Sequence, residues 1–395
     1  MQWEHPAMLP LSRDLFFDWA GPRIPCASRN IKGDTYPVAW ADDDALYVGT
    51  GDPLWMVKNG ENYLVHGGWN ESEETYQAMS GLVVEKLSGG AEAFEVHRIH
   101  NMPGFTGPGG GGPKPTGMLC VDGVLYLAAQ NLLGNKKPRF EARSQHGSDA
   151  TILRSDDHGK TWTPDLHGLL ADFEAAYYDR TKGQFDSWTT PDEARESFRD
   201  WKPMFPGSLF GGPSFVQFGR NNADAVDGYV YAVSGDQWDN GHELRLGRAP
   251  KERILERSCW AFAVPDENGT VAWTDDLSAS RPILTLPRHV GAPEMVFIAS
   301  LRKYLLLTWS LHSDFDPSTG SELTILEADQ PWGPFSLVHY EWMWDSRAVC
   351  PYCPRVPLKW FDPETLEGYL LHSGNWVTGT YYLPQVRKFK LTLRS

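Results

Sequence analysis

The amino-acid sequence predicts an all-β protein, a five-bladed β-propeller in which residues 1–395 form a single domain. The prediction rests on an aromatic, turn-rich composition, on five similar hairpins along the chain, and on further hairpins between them. The 395 residues include 17 Trp, 15 Tyr and 18 Phe, together with 38 Gly and 29 Pro. This composition is typical of aromatic strands separated by turns. Single β domains are often this long, so the length does not require two domains.

Five segments share one pattern, an apolar stretch followed by a turn and a return strand that carries a Tyr. They span 33–52, 115–131, 214–236, 294–310 and 355–375. The shared residues are Tyr47, Tyr126, Tyr231, Tyr304 and Tyr369. A Tyr at one fixed place suits a repeated scaffold in which it packs between neighbouring sheets. Three outer hairpins are legible at 150–166, 259–277 and 323–338, and four strands per repeat make a propeller blade.

The ends of the chain are expected to close the ring of blades. The segment 380–393 has the composition of a strand, and residues 1–33 would supply its partner or fill the axis. The longest insertion, at about 167–206, predicts short helices over a loop at the rim.

The outer hairpin at 155–162 matches the S-x-D-x-G-x-x-W pattern of the Asp box, which occurs in sialidase-like and other glycan-active propellers. Its physics is local. Asp157 can accept hydrogen bonds from turn amides, Gly159 permits a positive φ, and Trp162 packs beneath the turn. The motif therefore supports the fold and has no catalytic role of its own.

Charge and composition exclude several classes of function. The net charge of -15 argues against nucleic-acid binding, which needs Lys and Arg to displace counterions. No signal peptide or membrane-length apolar run is visible, so we expect a cytoplasmic protein as written, or a secreted or periplasmic one if a leader was removed. The five Cys form no disulfide framework, and Cys350 and Cys353 lack the second pair that a zinc site needs, so buried free thiols are expected. No cofactor is required, although a structural Ca²⁺ is possible.

Hairpin geometry predicts a shared functional face. The start of the first strand and the end of the second lie at the same edge of a hairpin, so Asp34 and Asp52 should fall together. The same argument brings a larger set of polar and aromatic residues to this face: Asn131, Asp236, Glu294, Trp309, Arg355, His372 and Asn375. The alternative to a catalytic role is a structural one, in which the Gly-Asp pairs are turns and Asp caps backbone amides.

Several carboxylates in an aromatic-lined mouth are what glycoside hydrolysis requires, because one acid protonates the leaving oxygen and a carboxylate acts as nucleophile or base. Asp34 and Asp52 are the first-choice catalytic pair, followed by Asp236 and Glu294. The expected substrate-binding residues are the other polar and aromatic groups of the face, with sugar rings stacking on Trp238, Trp309 and Trp376.

The segments 33–52, 246–264, 300–310, 327–336 and 353–364, the last followed by Leu-His-Ser-Gly-Asn-Trp, resemble in order the five-bladed propellers that include bacterial endo-D-arabinanases. The resemblance implies cleavage of furanoside linkages in cell-wall arabinan, with Asp34 and Asp52 matching the catalytic aspartates and Asp236 a weaker match. That family is typically exported, whereas no leader is visible here.

Two other functions remain open. A polysaccharide lyase would act on a uronic-acid-containing glycan, with candidates His66, Tyr36, Arg220 and Arg355, although an acidic mouth disfavours an anionic substrate. A glycan-binding propeller without catalysis is the other alternative.

Overall fold

The structure is a computed structural model that describes residues 9–24, 26, 29, 31–51, 55–58, 61–64, 80–103, 114–130, 150–164, 203–311, 317–375 and 380–394. None of the helices in these ranges is long and apolar enough to cross a membrane. Most of the predicted insertion at 167–206 lies outside the described residues, so that prediction stays open.

The described residues form mainly strands. These are β1 (Leu15–Ile24), β2 (Val38–Trp40), β3 (Leu46–Gly51), β4 (Trp55–Lys58), β5 (Glu61–Leu64), β6 (Ser80–Ser88), β7 (Glu95–Pro103), β8 (Lys114–Val121), β9 (Val124–Gln130), β10 (Thr151–Ser155), β11 (Ser214–Phe215), β12 (Tyr229–Gly235), β13 (Gly241–Pro250), β14 (Ala261–Pro265), β15 (Val271–Thr274), β16 (Leu284–Val290), β17 (Glu294–Ile298), β18 (Lys303–Leu311), β19 (Ser321–Ala328), β20 (Ser336–Trp342), β21 (Tyr352–Arg355), β22 (Glu367–Ser373) and β23 (Gln385–Leu393). Short 3₁₀ helices span Arg220–Asn222, Arg257–Cys259, Leu277–Ala279, Pro317–Thr319 and Leu358–Trp360.

The strands form five antiparallel blades, which confirms the predicted fold class. Blade I has the order β2-β3-β6-β7, blade II β8-β9-β10, blade III β11-β12-β13-β14-β15 with β16 also on β13, blade IV β17-β18-β19-β20, and blade V β21-β22-β23-β1. The separate hairpin β4-β5 lies between β3 and β6 in the chain. The three predicted outer hairpins are present, the first as β10 with a bridge between Arg154 and Thr163.

An apolar cluster fills each of the five seams between blades, and the repeated Tyr belongs to these clusters. Tyr47 packs between blades I and II, and Tyr126 between blades II and III. Tyr231 and Tyr304 share the seam of blades III and IV, and Tyr369 lies at the seam of blades V and I. The repeated Tyr therefore packs in four of the five seams, and other side chains fill the seam of blades IV and V.

Both ends of the chain contribute to blade V. Strand β1 pairs antiparallel with β23, from Leu15 opposite Leu393 to Ile24 opposite Val386. The predicted closure of the ring through 380–393 and an N-terminal partner is confirmed. A propeller closed in this way leaves no unpaired end at the joint.

The blades define two ends of the molecule. We call the end where the inner strands begin the axial face; Asp34, Lys114, Ser214, Glu294 and Tyr352 lie there. We call the opposite end, with the turns between first and second strands, the turn face; it includes the turns at 41–45, 122–123 and 299–302.

Candidate functional site

The axial face gathers charged groups that are almost wholly buried. Each blade contributes one polar residue at or just before its inner strand, or at the end of that strand: Asp34, Lys114, Ser214, Glu294 and Arg355. None of these five is more than 6% exposed. Burying a charged group costs free energy unless the group is paired or hydrogen-bonded, so the partners of these residues matter.

Asp34 is held close to blades I and V. It forms an antiparallel bridge with Gly51, and its Oδ2 accepts a hydrogen bond of 3.1 Å from the Tyr352 hydroxyl. Its Oδ1 is buried and has no hydrogen-bond partner among the residues described. A Cβ on Gly51 would lie 2.6 Å from Oδ1, so only glycine leaves this oxygen unobstructed.

The pKa of Asp34 lies above its usual range because burial disfavours the charged carboxylate. The positive charge of Lys114, the hydrogen bond from Tyr352 and the nearby Tyr382 hydroxyl act in the opposite direction and stabilise the ionised form. Asp34 therefore combines a protonatable carboxyl group with surroundings that can accommodate its charge.

The backbone around Asp34 is strained. Gly33 has φ 136°, Thr35 has φ 70° and Tyr36 has φ 42°. A positive φ is a true outlier for a β-branched residue such as Thr, and strained residues of this kind cluster at functional sites. The Tyr36 hydroxyl donates to the Gly33 carbonyl at 2.6 Å and so closes the segment on itself.

Arg355 joins the inner strands of four blades. From blade V its Nε donates to the Thr35 carbonyl at 3.0 Å, and its Nη1 contacts the Pro293 carbonyl at 2.9 Å and the Ser214 hydroxyl at 3.4 Å. The side chain is 1% exposed. These contacts give Arg355 a structural role on the axis, while its predicted binding of substrate stays a prediction.

Glu294 lies in the seam between blades IV and V. Its Oε2 accepts a hydrogen bond from the Val356 amide. Burial raises the pKa of Glu294 to about 7, against the opposing effects of the Arg355 charge and the Val356 hydrogen bond. Because Arg355 contacts the residue after Asp34 and the residue before Glu294, one guanidinium connects the two segments that carry these acids.

Further buried acids were not among the residues predicted from the sequence, and Glu85 and Asp239 are two of them. Glu85 on β6 accepts a hydrogen bond of 2.5 Å from the Thr50 hydroxyl, lies 3.6 Å from Arg98, and has its pKa raised to about 7 by burial. Asp239, in the loop before β13, is fully buried. Burial of Glu85 could have been predicted from the sequence, because it is the one acid in the mostly apolar segment 82–87.

Asp236 has the hydrogen bonds of a turn cap. Its Oδ1 accepts from the amides of His242 and Glu243 at 2.8 and 3.1 Å. A Cβ on Gly241 would lie 2.5 Å from the same oxygen. These contacts match the alternative that this Gly-Asp pair is a strand-end turn, and its catalytic role stays a prediction without a supporting contact.

The predicted aromatic and amide residues lie near the axis but are packed. Trp309 is fully buried and its ring lies 5.4 Å from that of Tyr352. Trp238 belongs to the same cluster, with Tyr382, Cys350 and Cys353. The two cysteines are buried thiols, as expected from the sequence. The backbone N–H of Asn375 donates to the Val349 carbonyl at 2.7 Å, and its side-chain Nδ2 donates to the Ala348 carbonyl at 3.3 Å.

His372 faces away from Asp34. Its Nδ1 lies 2.9 Å from the Ser373 carbonyl, its ring packs 4.7 Å from that of Trp344, and its Nε2 is 3.9 Å from Asp345. Burial lowers the pKa of His372 to about 4. The remaining predicted residues, Asp52, Asn131, Trp376 and His66, lie outside the described residues.

Of the lyase candidates that the structure describes, Arg220 does not lie together with Tyr36 and Arg355. Arg220 lies at the turn face, where it donates to the Asp42 carbonyl, at the opposite end of the blades from Asp34. The hydroxyl of Tyr36 is occupied by the Gly33 carbonyl, and Arg355 is buried in backbone contacts. The grouping of Arg220 with Tyr36 and Arg355 was wrong, because Arg220 follows the inner strand of its blade rather than preceding it.

One further group of potential ligands lies at the turn face. Oxygen and nitrogen atoms of Asp42, Asp43 and His158 lie within 4.8 Å of one another. They already contact other groups at the turn face, since His158 Nε2 lies 2.9 Å from Asp42 Oδ1 and Lys86 pairs with Asp43 at 2.8 Å. The structural Ca²⁺ that the sequence leaves open gains no support from them.

The chain matches no protein-family model and no curated protein. It does resemble solved structures over most of its length. A putative hydrolase from Bacteroides ovatus has a TM-score of 0.50 at 10% identity, covering 91% of this chain and 85% of that chain. An α-L-arabinofuranosidase from Podospora anserina has a TM-score of 0.44 at 11% identity, covering 96% and 98%. A GH43_1 enzyme from Xanthomonas citri has a TM-score of 0.43 at 13% identity, covering 94% and 89%.

Glycoside hydrolases are thus among the structures that this propeller resembles. At these identities the likeness concerns the fold alone. The closer resemblance to endo-D-arabinanases and the Asp-box assignment of 155–162 stay predictions.

Proposed function

We propose that the protein is a glycoside hydrolase that acts at the axial face, with Asp34 as a reacting carboxyl group. The observation that carries the proposal is the state of this carboxyl. One oxygen accepts from Tyr352, the other has no hydrogen-bond partner among the residues described, and burial raises the pKa. Buried acids with a raised pKa on strained backbone are typical of groups that exchange protons or bonds with a ligand.

A second carboxyl group is needed, and Glu294 is the described candidate. With a pKa of about 7, Glu294 is substantially protonated near neutral pH, which suits the donation of a proton to a glycosidic oxygen. Asp34 would then act as nucleophile or base at the anomeric carbon, its charge stabilised by Lys114 and Tyr352. Asp52, the partner predicted from the sequence, remains an alternative for either role.

The proposed substrate is an oligosaccharide or polysaccharide of the cell wall, with arabinan first among the candidates because of the sequence resemblance. The described aromatic groups around the axis, Trp238, Trp309 and Tyr382, are packed against one another, so the rings that would stack on a sugar stay a prediction from the sequence.

A product-release screen tests the proposal. The wild-type chain is incubated with arabinan, xylan and other plant and bacterial cell-wall glycans, and released saccharides are separated and counted. We expect new reducing ends without the ultraviolet absorbance of an unsaturated uronate. Such absorbance would establish elimination instead, and glycan binding without release would establish a binding protein; either result contradicts hydrolysis.

A further inference from the structure

The segment that carries Asp34 is attached to blade V, although it leads into blade I. Ser373 Oγ accepts a hydrogen bond of 2.8 Å from the Thr35 amide. Arg355 and Tyr352 add hydrogen bonds to the Thr35 carbonyl and to the Asp34 carboxyl. Residues from the neighbouring blade therefore hold both the backbone and the carboxyl group of this segment.

The segment needs such support because its conformation is unfavourable by itself. Thr35 and Tyr36 both have positive φ, and Thr35 is β-branched. Positive φ at residues of this kind persists only where the surrounding structure enforces it. The described contacts of the segment within blade I are few, chiefly the bridge between Asp34 and Gly51.

Ser373 is itself fixed in place. It is fully buried at the end of β22 and lies directly opposite Tyr352 in the pairing of β21 with β22. Residues directly opposite each other in an antiparallel pair present their side chains on the same face. One pair of residues thus delivers the hydroxyl that accepts from Thr35 and the hydroxyl that donates to Asp34.

We propose that Ser373 is a positioning residue for Asp34. Its hydroxyl fixes the Thr35 amide, and this holds the Asp34 carboxyl beside Tyr352 and away from solvent. The inference rests on the proposed function, since it concerns the same carboxyl group, but it makes a claim that can be measured without a substrate.

Ser234 provides a matched control. It is also buried near the end of the second strand of its blade, and its Oγ accepts a hydrogen bond of 3.1 Å from the Gly212 amide. Substituting Ala for either Ser leaves one backbone amide without this acceptor. Both variants should lose thermal stability, whereas only Ser373→Ala should alter Asp34.

The experiment follows the Asp34 carboxyl directly. The full chain is labelled with ¹³C at Asp carboxyl carbons, the Asp34 signal is assigned with Asp34→Asn, and its pKa is read from a pH titration by NMR. We expect Ser373→Ala to lower the pKa of Asp34 by about one pH unit or more, because the released segment gains solvent. Ser234→Ala should leave this pKa unchanged.

An unchanged Asp34 pKa in folded Ser373→Ala would overturn the proposal. If that variant does not fold, Ser373→Cys replaces it, because sulfur is a weaker acceptor of similar size and should shift the pKa in the same direction by less. Hydrolysis by the wild type with no shift in Ser373→Ala would refute the positioning role alone. A shift in a protein that hydrolyses no glycan would refute the proposed function alone.

Discussion

Acidic residues at the two ends of the propeller behave in opposite ways. At the turn face, the pKa of Asp44 is lowered by a hydrogen bond from Lys359, and that of Asp362 by the backbone amide of Glu364. At the axial face, burial raises the pKa of Asp34 and of Glu294. The ionised carboxylate is thus stabilised at the turn face and destabilised at the axial face.

This difference indicates which carboxyl groups lower the stability of the folded state at neutral pH. Exposed turn carboxylates cap amides and pair with lysines, which favours folding modestly. A buried carboxyl with a raised pKa does the reverse at neutral pH, since the folded state disfavours its charge. Such a cost is expected where a group serves a reaction, and this is why the axial face is the better candidate for chemistry.

The largest stability effect is expected from Glu85, near the axial end of blade I. Its folded pKa of about 7 exceeds the ordinary value of 4.5, so its contribution to stability is full below about pH 4.5 and is lost as the pH rises through 7. The shift corresponds to about 3 kcal/mol. Urea unfolding at pH 5 and pH 8 should show a smaller loss of stability for Glu85→Gln than for the wild type, and equal losses would contradict the assigned pKa.

Two glycines, Gly51 near the axial face and Gly228 near the turn face, test how tightly each face is packed. A Cβ at Gly51 would lie 2.6 Å from Asp34 Oδ1 and 3.1 Å from Pro115, whereas a Cβ at Gly228, near the turn face, meets nothing within 4 Å. Gly51→Ala should therefore cost about 1–3 kcal/mol and displace Asp34, as overpacking does. Gly228→Ala should be close to neutral. Similar unfolding free energies for the two variants would show that Asp34 is not tightly confined.

The smallest effect is expected at the turn face itself. Asp44 pairs with Lys359 at 2.9 Å, and its side chain is largely exposed. Asp44→Asn, which keeps a residue suited to the positive φ of this position, should reduce the unfolding free energy by less than about 1 kcal/mol, with a smaller difference at high salt, because surface ion pairs contribute little and are screened. Catalytic activity should not change. A loss of activity in this folded variant would break the distinction between the two faces.

The sequence predicted the fold through its most local signals. Tyr47 and its four counterparts repeat because equivalent return strands place a large side chain in the seams between blades, and this periodicity can be read without coordinates. The position of Asp34 could also be predicted, because hairpin geometry places it at the end of the blades. The residues that hydrogen-bond to the Asp34 segment and influence its pKa could not.

Tyr352, Tyr382 and Ser373 act on the Asp34 segment from blade V, more than 300 residues away in the chain. No local pattern marks a Tyr or Ser as facing a carboxyl group in another blade. For the same reason Asp34 and Asp236, which both follow a Gly, were both predicted to be catalytic. The structure shows that Asp34 is buried and that Asp236 caps a turn. Burial and contacts across seams, which are set by the closed ring, decide between such residues.

The most direct test of the central claim compares two aspartates at opposite ends of the molecule. Asp34→Asn and Asp157→Asn are assayed on the glycan that the wild type hydrolyses, with folding checked by circular dichroism. Asp157 accepts from the Thr161 amide at 2.9 Å within its turn, so its substitution should affect stability alone. We predict that Asp34→Asn loses hydrolysis by about 10³-fold or more while Asp157→Asn retains it. Undiminished hydrolysis by folded Asp34→Asn would contradict the account.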